Sequence, residues 1–192
     1  MSVLVGLQDL YYAKLTKDDE TGVMYDTPKR LAKAIEASIN PNSSKATLYA
    51  DNGPAETATS LGEIEVSLGI DQIGTAEQAD LLGNEVDANG ALIKTTEDEA
   101  PYVAIGFRGT NHDGSDKLVW LYKGKFQENE QSYATKGENV EFQTPTISAT
   151  FIRRDFDKAW QYQLNSGDEG ANATVAKDFF TKVQEKATAP TV

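Results

Sequence analysis

The stretch that decides the fold is Tyr102-Val103-Ala104-Ile105-Gly106-Phe107-Arg108, followed after a polar loop by Leu118-Val119-Trp120-Leu121-Tyr122. In the first segment every second side chain, beginning at Val103, is apolar, whereas the second segment is a continuous apolar run. Alternation is typical of a strand buried on one face, and a continuous run is typical of a strand buried on both. The sequence therefore predicts a central β-hairpin that ends at Phe126, with a half-buried first strand and a fully buried second strand.

A second hairpin is predicted over Thr47 to Leu68, with its turn at Asp51-Asn52-Gly53-Pro54. After the turn, the segment from Glu63 to Leu68 alternates strictly between polar and apolar residues. This pattern places the carboxylates of Glu63 and Glu65 on the face opposite the apolar side chains.

Composition sets limits on function. The chain has 192 residues, enough for one domain with a single core, and its 39% hydrophobic content excludes wholesale disorder. There is no cysteine, which excludes disulfides, thiolate catalysis and cysteine-based zinc sites. The formal charge of −12 argues against tight binding of a phosphate backbone, because such binding requires clustered Lys and Arg. We read no signal peptide and no membrane helix.

The segment from Leu31 to Ile39 admits two interpretations. Apolar residues recur at helical spacing, and propensity also favours a helix, but an alternating strand pattern fits as well. The following residues, Asn40 to Ser44, are interpreted as a loop.

One short helix is predicted from Thr75 to Gly83. Thr75 and Gln78 have the spacing of a capping box, and the glycine suits the helix end. We expect the helix to dock through Ala79 and Leu82.

A second helix is predicted near the carboxyl end, where Asn172 has the character of an N-cap. Its apolar stripe consists of Val175, Phe179, Phe180 and Val183. We therefore divide the chain into a β domain over residues 1–170 and an extension over residues 171–192, for which a helix is one interpretation.

The sequence predicts no catalytic, metal or cofactor site. His112 stands beside Asp113, but no nucleophile signature accompanies the pair, and the surrounding residues are turn formers. The same loop lacks the spacing of a calcium-binding EF-hand. Trp120 and Tyr122 precede lysines in a pattern that single-strand binders use, although core packing is the more common role.

Five collinear segments carry a resemblance to a known family. They are Leu10-Tyr11-Tyr12-Ala13-Lys14-Leu15-Thr16, Leu48-Tyr49-Ala50-Asp51-Asn52-Gly53-Pro54-Ala55-Glu56, Val119-Trp120-Leu121-Tyr122-Lys123-Gly124-Lys125-Phe126, Val140-Glu141-Phe142-Gln143-Thr144-Pro145-Thr146 and Phe151-Ile152-Arg153-Arg154-Asp155. Together they resemble the major tail protein, or tail tube protein, family of long-tailed phages and prophages of Gram-positive bacteria. The extension beyond Gly170 matches less well.

The resemblance implies a mainly-β protein, a β-sandwich of the tail-tube fold flanked by one short α-helix. It implies hexameric rings that stack into a tube in the virion, in contact with the tape measure and tail terminator proteins. Double-stranded DNA passes through such a tube without specific binding, and no enzyme activity, cofactor or membrane is involved. By this resemblance the segment from Leu31 to Ile39 is a strand.

Two further hypotheses stay open at this point. The first is a related assembly role, as a tail-completion protein or as the tube of a phage-derived bacteriocin. The second is a monomeric β-sandwich module that binds a carbohydrate or a cell surface. In the tube hypothesis Glu63 and Glu65 are the candidate acids facing the bore, where they would repel DNA weakly. The competing interpretation places them on an outward face.

Overall fold

The computed structural model describes residues 3–50, 53–128 and 144–187 of the chain. The predicted mainly-β fold with short helices is confirmed. The elements are β1 (Leu4–Asp19), β2 (Gly22–Tyr25), β3 (Lys29–Ala32), β4 (Ala34–Ala50), β5 (Gly53–Ile70), α1 (Thr75–Leu82), β6 (Glu85–Val86), β7 (Leu92–Ile93), β8 (Val103–Asn111), β9 (Asp116–Phe126), β10 (Thr146–Ile152), β11 (Gln161–Asn165) and α2 (Ala173–Lys177). The predicted turn residues Asp51 and Asn52, and most of the segment from Val140 to Thr146, lie outside the described residues.

Nine of these strands form one antiparallel sheet that curls on itself. Its order is β2-β1-β8-β9-β10-β5-β4, with β3 beside β1 and β11 beside β9. β3 pairs with β1 near one end of this order, whereas β4 pairs with β5 at the other end. Only Lys33 separates β3 from β4. The two ends of the sheet must therefore approach each other, and the curled sheet encloses the main core.

Two hydrophobic clusters lie on opposite faces of the sheet because side chains alternate along each strand. On β9, Val119 and Leu121 belong to the inner cluster, whereas Leu118, Trp120 and Tyr122 belong to the outer one. The predicted full burial of this strand is confirmed.

The predicted half-burial of β8 is wrong. Ala104 and Gly106, on its second face, are also buried. The Trp120 ring on the neighbouring strand lies over Gly106, where an added Cβ would stand 2.8 Å from the ring. Glycine is needed here because only a residue without a Cβ admits so close an approach.

The segment from Leu31 to Ile39 is extended, so its interpretation as a helix is wrong and the strand interpretation is confirmed. The loop predicted at Asn40 to Ser44 is also wrong, because β4 continues through it and stays paired with β5. A register shift between Pro41 and Ser43 accommodates the proline, which lacks the N–H needed for a regular ladder.

Helix α1 is confirmed, and Leu82 packs against the inner cluster as predicted, but the predicted capping box is wrong and Ala79 is not among the residues packed against that cluster. The N-cap is Gly74, without a side-chain cap, and Leu81 rather than Ala79 or Leu82 is the fully buried residue. Gly83 ends the helix in the left-handed conformation, as predicted.

Asp80 fastens α1 to the sheet. Its carboxylate accepts hydrogen bonds from the Tyr12 hydroxyl and from the Nζ atoms of Lys14 and Lys29, at 2.7, 2.7 and 2.8 Å. Burial alone would raise the pKa of Asp80, but these hydrogen bonds outweigh it and hold the pKa well below its usual range. The carboxylate thus stays ionised and joins α1 to two strands.

We expect Asp80→Asn to lower the free energy of unfolding by about 1–3 kcal/mol, the range for lost hydrogen bonds to charged groups. Because the pKa of Asp80 is depressed in the folded state, its contribution is complete above the unfolded pKa of about 3.9 and is lost as pH falls further. Urea unfolding between neutral and acidic pH should therefore show a flatter profile for the variant. Glu77→Gln, one turn earlier on the helix, is the matched control. Equal losses in both variants would contradict the prediction.

The carboxyl-terminal segment packs on the outer cluster. Asn172 caps α2, as predicted, by accepting hydrogen bonds from the backbone N–H groups of Thr174 and Val175. The helix has only five residues and ends at Lys177, so Phe179 and Val183 reach the sheet from beyond it. The domain boundary at residue 170 stays a prediction.

Candidate functional surface

The candidate surface is the outward face of β4, β5 and β10, which we call the acidic panel. In the ladders, Glu65 lies opposite Asn40 on one side and opposite Thr150 on the other, and Ser67 lies between Ser38 and Ser148. Residues opposite each other in an antiparallel ladder point to the same side of the sheet. The acidic panel consists of Glu36, Ser38, Asn40, Glu63, Glu65, Ser67, Ser148 and Thr150.

Alternation along β5 explains why the acids face outward. Ile64, Val66 and Leu68 are almost completely buried in the inner cluster. The residues between them must point to the other face, where Glu63 and Glu65 are exposed. The prediction that these two carboxylates oppose the apolar face is therefore confirmed, whereas their location in a bore stays a prediction.

The acidic panel carries carboxylates, hydroxyls and an amide but no cation. The chain has no Lys or Arg in residues 34–42, 62–70 or 146–152. The Asn42 side-chain amide donates to the Glu65 carboxylate at 3.2 Å. The only charged groups on this face are therefore carboxylates. They give the face a negative potential that no cation within the panel neutralises.

Two lysines border the acidic panel on β9, and both are ion-paired. Lys125, opposite Thr150, binds Glu99 at 3.1 Å. Lys123 binds the carboxylates of Asp18 and Asp155, each at 2.7 Å. Burial alone would lower the pKa of Lys123, but these hydrogen bonds outweigh it and raise the pKa. The ammonium therefore stays charged and held away from the panel.

Sequence reasoning missed the third acid, Glu36, and the polar residues of β10. Glu36 was hidden because its segment also fits a helix, in which it would not share a sheet face with Glu65. The available signal was the strand interpretation, under which Glu36 shares the face of Ser38 and Asn40.

Beyond the acidic panel, β4 and β5 continue as a two-stranded arm, which we call the ribbon (residues 43–47 and 56–61). Its ladder runs from the Ser43–Leu61 pair to the Thr47–Thr57 pair. β10 pairs with β5 only from Ile64 to Gly69, so it does not reach the ribbon. Nearly all side chains of the ribbon are exposed, and most are Ser, Thr or Ala. A two-stranded ribbon exposed on both faces is marginally stable alone, so this one is suited to contact another surface.

The other candidates from the sequence lie elsewhere. His112 is exposed in the β8–β9 turn, and the neighbouring Asp113 carboxylate accepts from the Ser115 N–H and hydroxyl. These hydrogen bonds fit the interpretation as a turn. Trp120 and Tyr122 are buried in the outer cluster, so the prediction of core packing is confirmed and an aromatic surface for bases is wrong at these residues.

Within residues 3–50, 53–128 and 144–187, no group of three or more His, Asp or Glu side chains is arranged to hold a metal ion. In the same part of the chain, no helix is long and apolar enough to span a membrane. Comparison of the chain with protein-family models and with curated protein sequences found no match.

Proposed function

We propose that this chain is the major subunit of a phage tail tube, in which hexameric rings stack and conduct double-stranded DNA. The proposal combines the collinear resemblance with one observation, the acidic panel without cations. The proposed location is the virion tail, after synthesis in the bacterial host. Its proposed partners are further copies of the chain and the tape measure and tail terminator proteins.

The acidic panel supports the proposal because a channel for DNA must not hold the duplex. Each phosphate that a Lys or Arg neutralises adds binding free energy and thus friction. Carboxylates instead repel the DNA phosphates, over a Debye length of about 10 Å at 0.1 M salt. The hydroxyl and amide groups between the acids keep the face hydrated without adding positive charge.

The sheet offers four adjacent strands for the wall of such a tube. β9, β10, β5 and β4 are four successive neighbours in the sheet. Six copies would contribute roughly 24 strands, which at about 4.8 Å per strand gives a circumference of roughly 115 Å and a diameter of about 37 Å. That diameter admits a hydrated duplex. Contact with a neighbouring copy would also cover the edge of β4, the strand that ends the sheet order.

The ribbon is a second feature that supports assembly of several copies. Its exposed small side chains form a flat, nearly uncharged surface, on which only Lys45 and Glu56 carry charge. At about 3.3 Å per residue, residues 43–50 extend the hairpin by about 25 Å, comparable to a domain dimension. We propose that the ribbon contacts a neighbouring copy.

We expect the purified protein to form hexameric rings or tubes at high concentration, with or without a chelator. We expect a variant in which Asn-Gly replaces residues 45–59 to lose tube formation, because it lacks most of the ribbon. The two-residue turn should close the shortened hairpin, since Ser44 and Ser60 already face each other across the ladder. Electron microscopy and sedimentation velocity measure both outcomes.

The shortened variant retains every residue of the inner cluster, so its thermal unfolding should match that of the full chain. A full-length chain that stays monomeric at every concentration would contradict the tube and favour a monomeric binding module. Single rings that never stack would favour a tail-completion protein. Tubes formed equally well by the shortened variant would refute the role of the ribbon alone.

A further inference from the structure

The turn of the β6–β7 hairpin contains an Asn-Gly pair, Asn89-Gly90, and both residues are exposed. The Gly90 N–H donates to the Asp87 carbonyl at 3.0 Å, which closes a β-turn that begins at Asp87. Gly90 has a φ of 81°, in the left-handed region where glycine is favoured. The turn therefore has Ala88 and Asn89 as its central residues.

Asp87 binds this turn through its side chain as well. One carboxylate oxygen accepts from the backbone N–H groups of Asn89 and Ala91, both at 2.8 Å. The other accepts from the side-chain amide of Asn89 at 3.1 Å. The Ala91 and Asn89 hydrogen bonds lower the pKa of Asp87, so the carboxylate is ionised near neutral pH.

An asparagine followed by glycine is chemically labile. The glycine nitrogen attacks the asparagine Cγ and forms a new C–N bond, while the bond to the side-chain nitrogen breaks and that nitrogen takes a proton from water and leaves as ammonia. The proton of the glycine N–H passes to water or hydroxide. Water then opens the cyclic imide at either carbonyl and yields aspartate or isoaspartate. Glycine permits the attack because no side chain crowds its nitrogen.

In the folded hairpin both reacting groups of this pair are held by one residue. The attacking nitrogen, Gly90 N, has its proton bonded to the Asp87 carbonyl, and the leaving nitrogen, Asn89 Nδ2, is bonded to the Asp87 carboxylate. Attack therefore requires that the turn first open locally.

We propose that Asn89 is a latent deamidation site and that Asp87 is the positioning residue that keeps it unreactive. Deamidation of Asn89 adds one negative charge to the hairpin. By the isoaspartate route it also adds one extra carbon to the backbone of the turn. Neither consequence depends on the proposed tube.

The test compares the wild-type chain with Asp87→Ala and Asp87→Ser during incubation at mildly alkaline pH. Asp87→Ser retains one acceptor, whereas Asp87→Ala removes both. The control is Asp19→Ala, which removes a similar carboxylate cap from the β1–β2 turn, where Asp19 accepts from the Thr21 N–H. Cleavage after glutamate releases residues 86–97, which separates Asn89 from the other Asn-Gly pair at Asn52, and mass spectrometry then measures the deamidated fraction.

We expect Asn89 to deamidate more slowly in the folded wild-type chain than in the same chain in urea. We expect Asp87→Ala to accelerate the reaction about tenfold. The turn would lose one or two hydrogen bonds that hold it closed, and about tenfold more of the molecules would then be locally open. Asp87→Ser should be intermediate, and Asp19→Ala should match the wild type. Equal rates in the folded and unfolded chain, or an unchanged rate in Asp87→Ala, would overturn the proposal.

Discussion

Replacing Phe179 with alanine is expected to lower the free energy of unfolding by about 3–5 kcal/mol, the range for a large aromatic residue removed from a packed core. The Phe179 side chain has no exposed surface. Its ring lies 6.3 Å from that of Trp120 and 6.0 Å from that of Tyr162, between centroids. Truncation therefore removes apolar burial and leaves a cavity against two aromatic residues at once.

The backbone of the same segment is also bound to the sheet. Trp120 Nε1 donates to the Phe179 carbonyl at 3.1 Å, and the Tyr122 hydroxyl donates to the Gln184 carbonyl at 2.8 Å. If the segment detaches in the variant, both buried donors lose their partners, which adds to the loss. We therefore expect the effect at the upper part of the range.

Phe180→Ala is the matched control, because it removes the same ring one residue later. Phe180 is only partly buried and stacks on Tyr11 at 4.9 Å, so its loss should cost less. Urea unfolding followed by tryptophan fluorescence measures both variants, since Trp120 reports on this cluster. Equal effects of the two substitutions would show that the segment beyond residue 170 is not anchored at Phe179.

The pattern of apolar residues along the sequence predicted those strands and helices in which that pattern follows the burial seen in the structure. The central hairpin was predictable from its apolar pattern, which matches the burial of β9, whereas the second face of β8 is buried without a signal in that pattern. The segment around Ile35 was ambiguous because a register shift between Ala34 and Glu36 turns Ile35 outward. The burial therefore departs from the alternating pattern at Ile35, and sequence periodicity alone could not choose between the strand and the helix.

Contacts between distant residues were beyond local reasoning. Asp80 receives the Lys14 ammonium across 66 positions, and Lys123 binds Asp18 across 105. The burial of Gly106 depends on Trp120, and the cap of α1 proved to be Gly74, a residue without a side-chain acceptor. The two ion pairs join residues that only the tertiary fold brings together, which a single sequence read locally does not reveal.

The candidate surface was predictable in part. Glu63 and Glu65 followed from the alternation of β5 alone. The extent of the acidic panel did not, because it requires the pairing of β5 with β4 on one side and with β10 on the other. Glu36 and Thr150 are far from β5 in sequence and join it only through these two ladders.

In the proposed tube, reversing the charge of the acidic panel with Glu63→Lys and Glu65→Lys is expected to slow DNA ejection about tenfold or more at low salt, because each new lysine would neutralise a phosphate of the duplex. The delay should shrink as the salt concentration rises, because salt screens the charges and reduces the free energy gained when counterions leave the DNA. Both side chains are exposed on a strand whose other face is buried, so the substitutions should leave folding intact. Virions assembled from the variant, with ejection followed by dye uptake into released DNA, provide the measurement.

Two controls separate the location of the charge from its amount. Glu20→Lys with Glu97→Lys makes the same change of net charge at exposed positions outside the acidic panel. Glu63→Gln with Glu65→Gln removes the repulsion without adding a cation. If the acidic panel lines the bore, the panel lysines should slow ejection most, the glutamines should have a small effect and the distant lysines none.

A structure of the assembled tube tests the location independently of ejection. If the acidic panel faces outward there, the assignment to the bore is wrong, and the acids serve solubility instead. If the panel faces inward but the double-lysine variant ejects DNA at the normal rate, the location holds and the electrostatic role fails. The salt dependence discriminates further, because a steric defect from the longer lysine side chains would persist at high salt, whereas phosphate binding would not.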